Sequence, residues 1–123
     1  MKTQWYSFNQ NGSGGVFKGP ALTVLIEATS REQANALAQM HNVYFDGCDK
    51  GLDCSCCGDR WGPTWDEDGY PSAEEARQHT YRLTGEFSRT YHRWARTDGV
   101  PMLVAYGLDG KEALRVEPAD DHA

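Results

Sequence analysis

Residues 21–38, ALTVLIEATSREQANALA, place a strand directly before a capped helix, and this order sets the class of the fold. Ala21 to Ala28 is rich in β-branched and aliphatic residues, which suit a pleated surface packed against a core. Ser30 followed by Gln33 has the form of a capping box, in which side-chain oxygens take up orphan amides of the first helical turn. Ala34, Leu37, Ala38 and His41 then recur at helical spacing, so the helix is expected to end near Asn42.

Toward the amino terminus, QWYSF (Gln4 to Phe8) reads as a second strand that pairs with the first as a hairpin. The connection NQNGSGGVFKGP, from Asn9 to Pro20, is a long glycine-rich loop. Toward the carboxyl terminus, Ser72 and Glu75 repeat the capping-box spacing, and a second helix is expected to continue to about Arg96, where TDGVP stops it. Gly85 weakens its middle by roughly 1 kcal/mol against alanine. On that helix Leu83, Phe87, Tyr91 and Trp94 form one stripe, expected to face the core, and Arg82, Arg89, Arg93 and Arg96 a roughly opposite one. Met102 to Tyr106 and Ala113 to Val116 flank GLDGKE, whose Asp109-Gly110 pair is a strong hairpin-turn signal. The order strand, strand, helix, cysteine loop, helix, strand, strand predicts one α+β domain over residues 1–117. Its sheet is expected to be antiparallel, built from the two hairpins, with both helices on one face. Local pattern leaves open whether the hairpins share one sheet. The end of the chain, 118–123, is expected to be an acidic, disordered tail.

A chain of 123 residues suits one domain. No run approaches the roughly 18 apolar residues of a membrane span, and the start MKTQWYSFNQ lacks the apolar stretch of a secretory signal, so a cytosolic protein is expected. The net charge of -6 argues against extensive nucleic-acid binding.

All four cysteines lie in YFDGCDKGLDCSCCGDRW, Tyr44 to Trp61. Cys54 and Cys57 form Cys-x-x-Cys before Gly58, a spacing that lets two thiolates meet one tetrahedral zinc. Cys48 is a candidate third ligand, with Cys56, His41, His79 or His92 as the fourth; the set Cys48, Cys54, Cys56 and Cys57 is the most local. Against zinc stands a reduced, packed loop in which Asp46, Asp53 and Asp59 bond to nearby backbone amides. Redox catalysis is disfavoured because the surrounding acids should raise the thiol pKa values. A calcium loop fails for want of oxygen ligands at alternate positions.

These residues carry a resemblance. Phe45-Asp46-Gly47 followed by Asp53-Cys54-x-Cys56-Cys57-Gly58-Asp59-Arg60-Trp61, preceded by TVLIEATSREQANALA, is similar to a family of small proteins of tailed bacteriophages. The likeness covers mainly the amino-terminal half, and it implies a phage accessory protein acting in the cytoplasm of an infected bacterium. Small phage proteins of this class resemble anti-defence factors that sequester a nucleotide-derived immune signal or block a host defence protein.

A nucleotide would need amides or cations for its phosphates and an aromatic face for its base. The candidate ligand-binding residues are Asn11, Gly14 and Lys18 at the glycine loop, Arg60, Trp61 and Trp65 near the cysteines, and Arg89 and Arg93 on the helix. Each has a plainer reading as hairpin connection, packed aromatic or solvated charge. Sequestration without cleavage, possible for an oligomer sharing a pocket, is therefore one expectation. An interaction module that inhibits a host enzyme through Trp61, Trp65 and an acidic surface is a second. A metal-dependent phosphodiester hydrolase using Asp46, Asp49, Asp53 and Asp59 is a third. No acid–base pair with a partner and no Gly-x-Ser-x-Gly spacing occurs, which favours binding over catalysis.

Overall fold

The computed structural model describes residues 2–11, 18–56, 58–79 and 88–118, apart from the side chains of 88–90. The elements are β1 (Gln4–Asn9), β2 (Thr23–Ala28), α1 (Arg31–Met40), a 3-10 turn (Asp66–Asp68), β3 (Gly69–Tyr70), α2 (Ala73–Gln78), α3 (Ser88–Asp98), β4 (Leu103–Tyr106) and β5 (Glu112–Val116). This is the α+β class that the sequence predicts, in roughly the predicted order; the short β3 and the division of the second helix into α2 and α3 are additions to it. Helix starts follow the predicted caps. Ser30 Oγ accepts from the Gln33 amide at 3.1 Å, and Gln33 Oε1 reaches back to the Thr29 amide at 2.7 Å. Ser72 Oγ accepts from the Glu75 amide at 3.1 Å.

The two hairpins join one five-stranded sheet of order β3-β1-β2-β4-β5. Pairing is antiparallel within each hairpin but parallel at the seam, where Thr23 lies opposite Leu103 and Ile26 opposite Tyr106. The expectation of an antiparallel sheet throughout is corrected at this seam. The connection from β2 to β4 carries all three helices, long enough to return the chain to its starting end, as a parallel neighbour requires. The β4–β5 turn uses the predicted pair. Gly110 stands at φ +82°, and the Asp109 carboxylate accepts from the Lys111 amide at 2.9 Å. A register shift between Ala105 and Tyr106 makes Ala113 an extra residue in β5.

Alternation along the strands assigns the faces. Tyr6, Phe8, Val24, Ile26 and Val104 pack with Ala34 and Ala38 of α1, together with Val43 and Trp61. Leu25, Leu103 and Ala105 point the other way and meet Ala76 of α2, with Trp5, Tyr70 and Ala73 around them. Helices therefore cover both faces, where one was expected. The reason lies in β2 and its approach: every residue from Ala21 to Ile26 is buried, as suits a central strand covered on both sides.

The helix expected from Ser72 to Arg96 is also corrected, because α2 ends at Gln78. His79 leaves helical geometry there, and its ring stacks on Tyr70 with centroids 5.1 Å apart. Residues 80–87, with Arg82, Leu83, Gly85 and Phe87, lie outside the described residues. Further on, Tyr91 and Trp94 pack as predicted, against Leu22, Ala95 and Met102. The predicted tail lies outside the described residues from 119 onward.

Candidate functional site

The segment after α1 folds around one carboxylate. Asn42 and Asp46 adopt left-handed backbone at φ 68° and 56°, conformations that short polar side chains tolerate better than most. The Gly47 carbonyl then accepts the amides of Leu52 and Asp53 at 2.8 and 3.0 Å, which closes a tight loop over Cys48 to Leu52. Closure carries Asp53 inward, where its side chain is 2% exposed. Its Oδ1 accepts from the Tyr44 hydroxyl at 2.7 Å, and its Oδ2 from the Arg60 amide at 2.8 Å. The Arg60 Nε lies 3.5 Å from the same carboxylate. A second acid works alike at the rim: Asp59 Oδ1 accepts from the Cys48 amide at 2.9 Å. Burial alone would push the Asp53 carboxyl up. The Arg60 amide, the Tyr44 hydroxyl and the cations of Arg60 and Lys18 together hold it below the ordinary aspartate range.

Two expectations follow from this carboxylate. A carboxyl held low in the folded chain contributes stability that is present above its unfolded value, about 3.9, and lost as pH falls through the lower folded value. Urea midpoints between pH 6 and 2 should therefore drop more steeply below about pH 4 for the wild type than for Asp53→Asn. Gly47 makes the second. A Cβ there would lie 1.8 Å from Asp53 Oδ2 and 2.9 Å from the Tyr44 ring. Gly47→Ala should displace the carboxylate from its donors and lower stability by about 1–3 kcal/mol, read as a shift in urea midpoint.

The base of the glycine loop sits at the same corner. Gln10 is buried, and its amide bonds the Lys18 carbonyl at 2.8 Å and the Ala21 carbonyl at 2.9 Å while its Oε1 accepts the Lys18 amide at 2.8 Å. Next to it, the Asn11 amide donates to the Arg60 carbonyl at 2.7 Å, and an Arg60 Nη1 donates to the Asn11 carbonyl at 3.4 Å. The fold thus brings together Asn11, Lys18, Arg60 and the cysteine segment. Gln10 and Tyr44, which hold this corner, carry no local motif; Gln10 is marked only by its burial beside a loop, and Tyr44 by its bond to Asp53. Gly14 and Cys57 lie outside the described residues.

The other predicted residues go elsewhere. Trp61 is 1% exposed, and its ring lies under the Gly19 backbone within the core of the α1 face. Its indole N–H has no acceptor among the described residues. Trp61 therefore fills the interior and presents no face to a ligand. The Arg60 side chain is 11% exposed and turned toward Asp53. Arg93 is exposed on α3, and the Arg89 side chain lies outside the described residues. Trp65 is 51% exposed. It lies by Arg31, which follows the Ala28 end of β2, whereas Asn11 follows the opposite end of β1, so the length of a strand, roughly 15–20 Å, separates them.

The thiols sit on the outer side of the loop. Cys54 Sγ and Cys56 Sγ lie 2.7 Å apart, and Cys48 Sγ points at the Cys54 carbonyl at 3.5 Å. Desolvation, then Asp59, Asp53 and Asp49, push the Cys48 thiol up to about 11, so it is protonated at neutral pH. Among the described residues, no three or more His, Cys, Asp or Glu side chains converge on a point that could hold a metal. The predicted Cys-x-x-Cys pair includes Cys57, which lies outside the described residues. Of the alternative fourth ligands, His41 stacks on Tyr106 at 3.8 Å and His79 on Tyr70. The charges around the loop are Asp46, Asp49, Asp53 and Asp59 against Lys18, Lys50 and Arg60, an excess of one acid.

A different surface is built to be exposed. The chain before Trp65 is fixed to α1, as the Thr64 amide donates to Asn35 Oδ1 at 2.8 Å and Asn35 Nδ2 to the Thr64 carbonyl at 3.4 Å. Asp68 Oδ2 accepts the Trp65 amide at 3.1 Å and caps the 3-10 turn. The Arg31 guanidinium lies over the Trp65 ring, 5.3 Å from its centroid, and its Nε donates to Glu32 at 3.1 Å. No helix among the described residues is long and apolar enough to cross a membrane. Neither the search of curated proteins nor that of solved structures gives a match. The family model for a domain of unknown function, DUF7296, matches residues 3–114, from the approach to β1 into β5, and the chain belongs to that family.

Proposed function

We propose that this is a phage accessory protein that acts by binding, without catalysis, a defence protein in the cytoplasm of an infected bacterium. The observation that carries the reading is the division of labour between two tryptophans. Trp61 and its neighbour Arg60 serve the interior, while Trp65 stands half exposed on a stretch pinned by Asn35 and Asp68. An aromatic side chain held ready on a fixed backbone loses little entropy on docking, which is how a few residues come to dominate an interface. The resemblance of the Phe45 to Trp61 segment to phage proteins supports the setting.

Sequestration of a nucleotide-derived signal is the second reading. It is favoured by Lys18, exposed at the Gln10-clamped base of the glycine loop, and by the exposed Arg93. Native mass spectrometry of the chain purified from bacteria separates the two. A stoichiometric bacterial protein supports the first reading; a few hundred daltons released on denaturing, with no protein bound, would replace it with the second. The same spectrum counts zinc: one ion per chain would make the Tyr44 to Trp61 segment a candidate metal site, and none would favour a reduced, packed loop.

A further inference from the structure

The exposed tryptophan stands among acids. Glu32, Asp66 and Glu67 are exposed around the start of α1 and the 3-10 turn, and Arg31, the cation on the ring, is paired with Glu32. Asp66 and Glu67 follow Trp65 directly in the 3-10 turn that it caps, which keeps both acids beside the indole. The patch is thus an apolar aromatic face with a net negative rim.

Resting on the reading of the protein as an interaction module, we infer that Trp65 is the anchor of a docking face for a protein that presents an apolar slot rimmed by Lys and Arg. Charge complementarity selects this occupant. A second copy joined through the same patch by a two-fold axis would set Glu32, Asp66 and Glu67 of one chain against those of the other, and like charges facing each other oppose association. A nucleic acid or an anionic membrane surface meets the same repulsion. A basic-rimmed slot gains on both counts: the indole is buried at the centre, and the acids steer the approach.

The test uses the full chain as bait in a bacterial lysate, with Trp65→Ala and the double variant Asp66→Asn/Glu67→Gln beside it, each checked for folding by circular dichroism. The captured protein is then purified for kinetics. Trp65→Ala should weaken binding about 30-fold or more, the scale of an interface hot spot. Asp66→Asn/Glu67→Gln should slow association several-fold at low salt and leave it unchanged at high salt, where screening has already removed the steering. A partner that binds Trp65→Ala as tightly as wild type would overturn the docking face while leaving the interaction reading standing. Association that ignores both salt and the acid variant would overturn the basic rim. Capture of no protein defeats both the inference and the reading it rests on. A dimer seen by light scattering that Trp65→Ala dissolves would give the face to a second copy.

Discussion

Asp53→Ala is expected to lower the unfolding free energy by about 3–5 kcal/mol, the scale observed when one member of a buried ion pair is removed. The effect comes from the groups that face this carboxylate. Arg60, whose side chain is 11% exposed, would lose the carboxylate beside its Nε while keeping contacts such as that to the Asn11 carbonyl, and the Tyr44 hydroxyl and Arg60 amide would lose their acceptor at the same time. Some water reaches Arg60, so the lower part of that range is the better expectation. Urea denaturation followed by tryptophan fluorescence measures it. The double variant Asp53→Ala/Arg60→Met should recover part of the loss, because it also removes the cation that faced the lost carboxylate. Were the single variant as stable as wild type, the carboxylate would not be the centre of the loop.

The second large effect belongs to Trp61. Truncation to alanine leaves a cavity under Gly19 among Phe8, Val24 and Val43, and buried Trp→Ala changes cost about 3–5 kcal/mol. Trp61→Phe should be much milder, since the lost indole N–H has no acceptor among the described residues and only ring volume changes. Equilibrium urea unfolding of both variants gives the comparison. If Trp61→Ala were as stable as wild type, the ring would be an accessory surface and the ligand-stacking role would return.

What was legible in the sequence is what local chemistry encodes. Ser30 with Gln33, Ser72 with Glu75, and Asp109 with Gly110 each act on amides within a few residues, so spacing alone places them. The two-sided cover of the sheet also had a signal. Ala21 to Ile26 is an almost unbroken apolar run where a strand with one wet face would alternate. The parallel seam had none, because β2 and β4 are distant in sequence and their pairing is a tertiary contact that no local spacing encodes. The end of α2 at Gln78 was equally hidden, since the His79 stack on Tyr70 joins two elements.

The site divides in the same way. Short acids bonding to loop amides could be expected of so many aspartates near glycines, and Asp53 and Asp59 do this. Which of two nearby tryptophans is interior could not be expected, because Trp61 and Trp65 lie in similar surroundings of Gly, Pro and acids. The difference is tertiary: Trp61 meets Gly19 from the far end of the glycine loop, whereas Trp65 is turned outward by the Asn35 and Asp68 contacts.

The proposed division, in which Arg60 and Trp61 serve the fold and Trp65 serves docking, is tested by measuring melting temperature and affinity for the captured partner in Arg60→Lys, Trp61→Phe and Trp65→Ala. The first two should lower the melting temperature and leave the affinity of the folded protein unchanged, while Trp65→Ala should keep the melting temperature and lose the affinity. The reverse pattern, full affinity in Trp65→Ala and lost affinity in stably folded Arg60→Lys or Trp61→Phe, would contradict it.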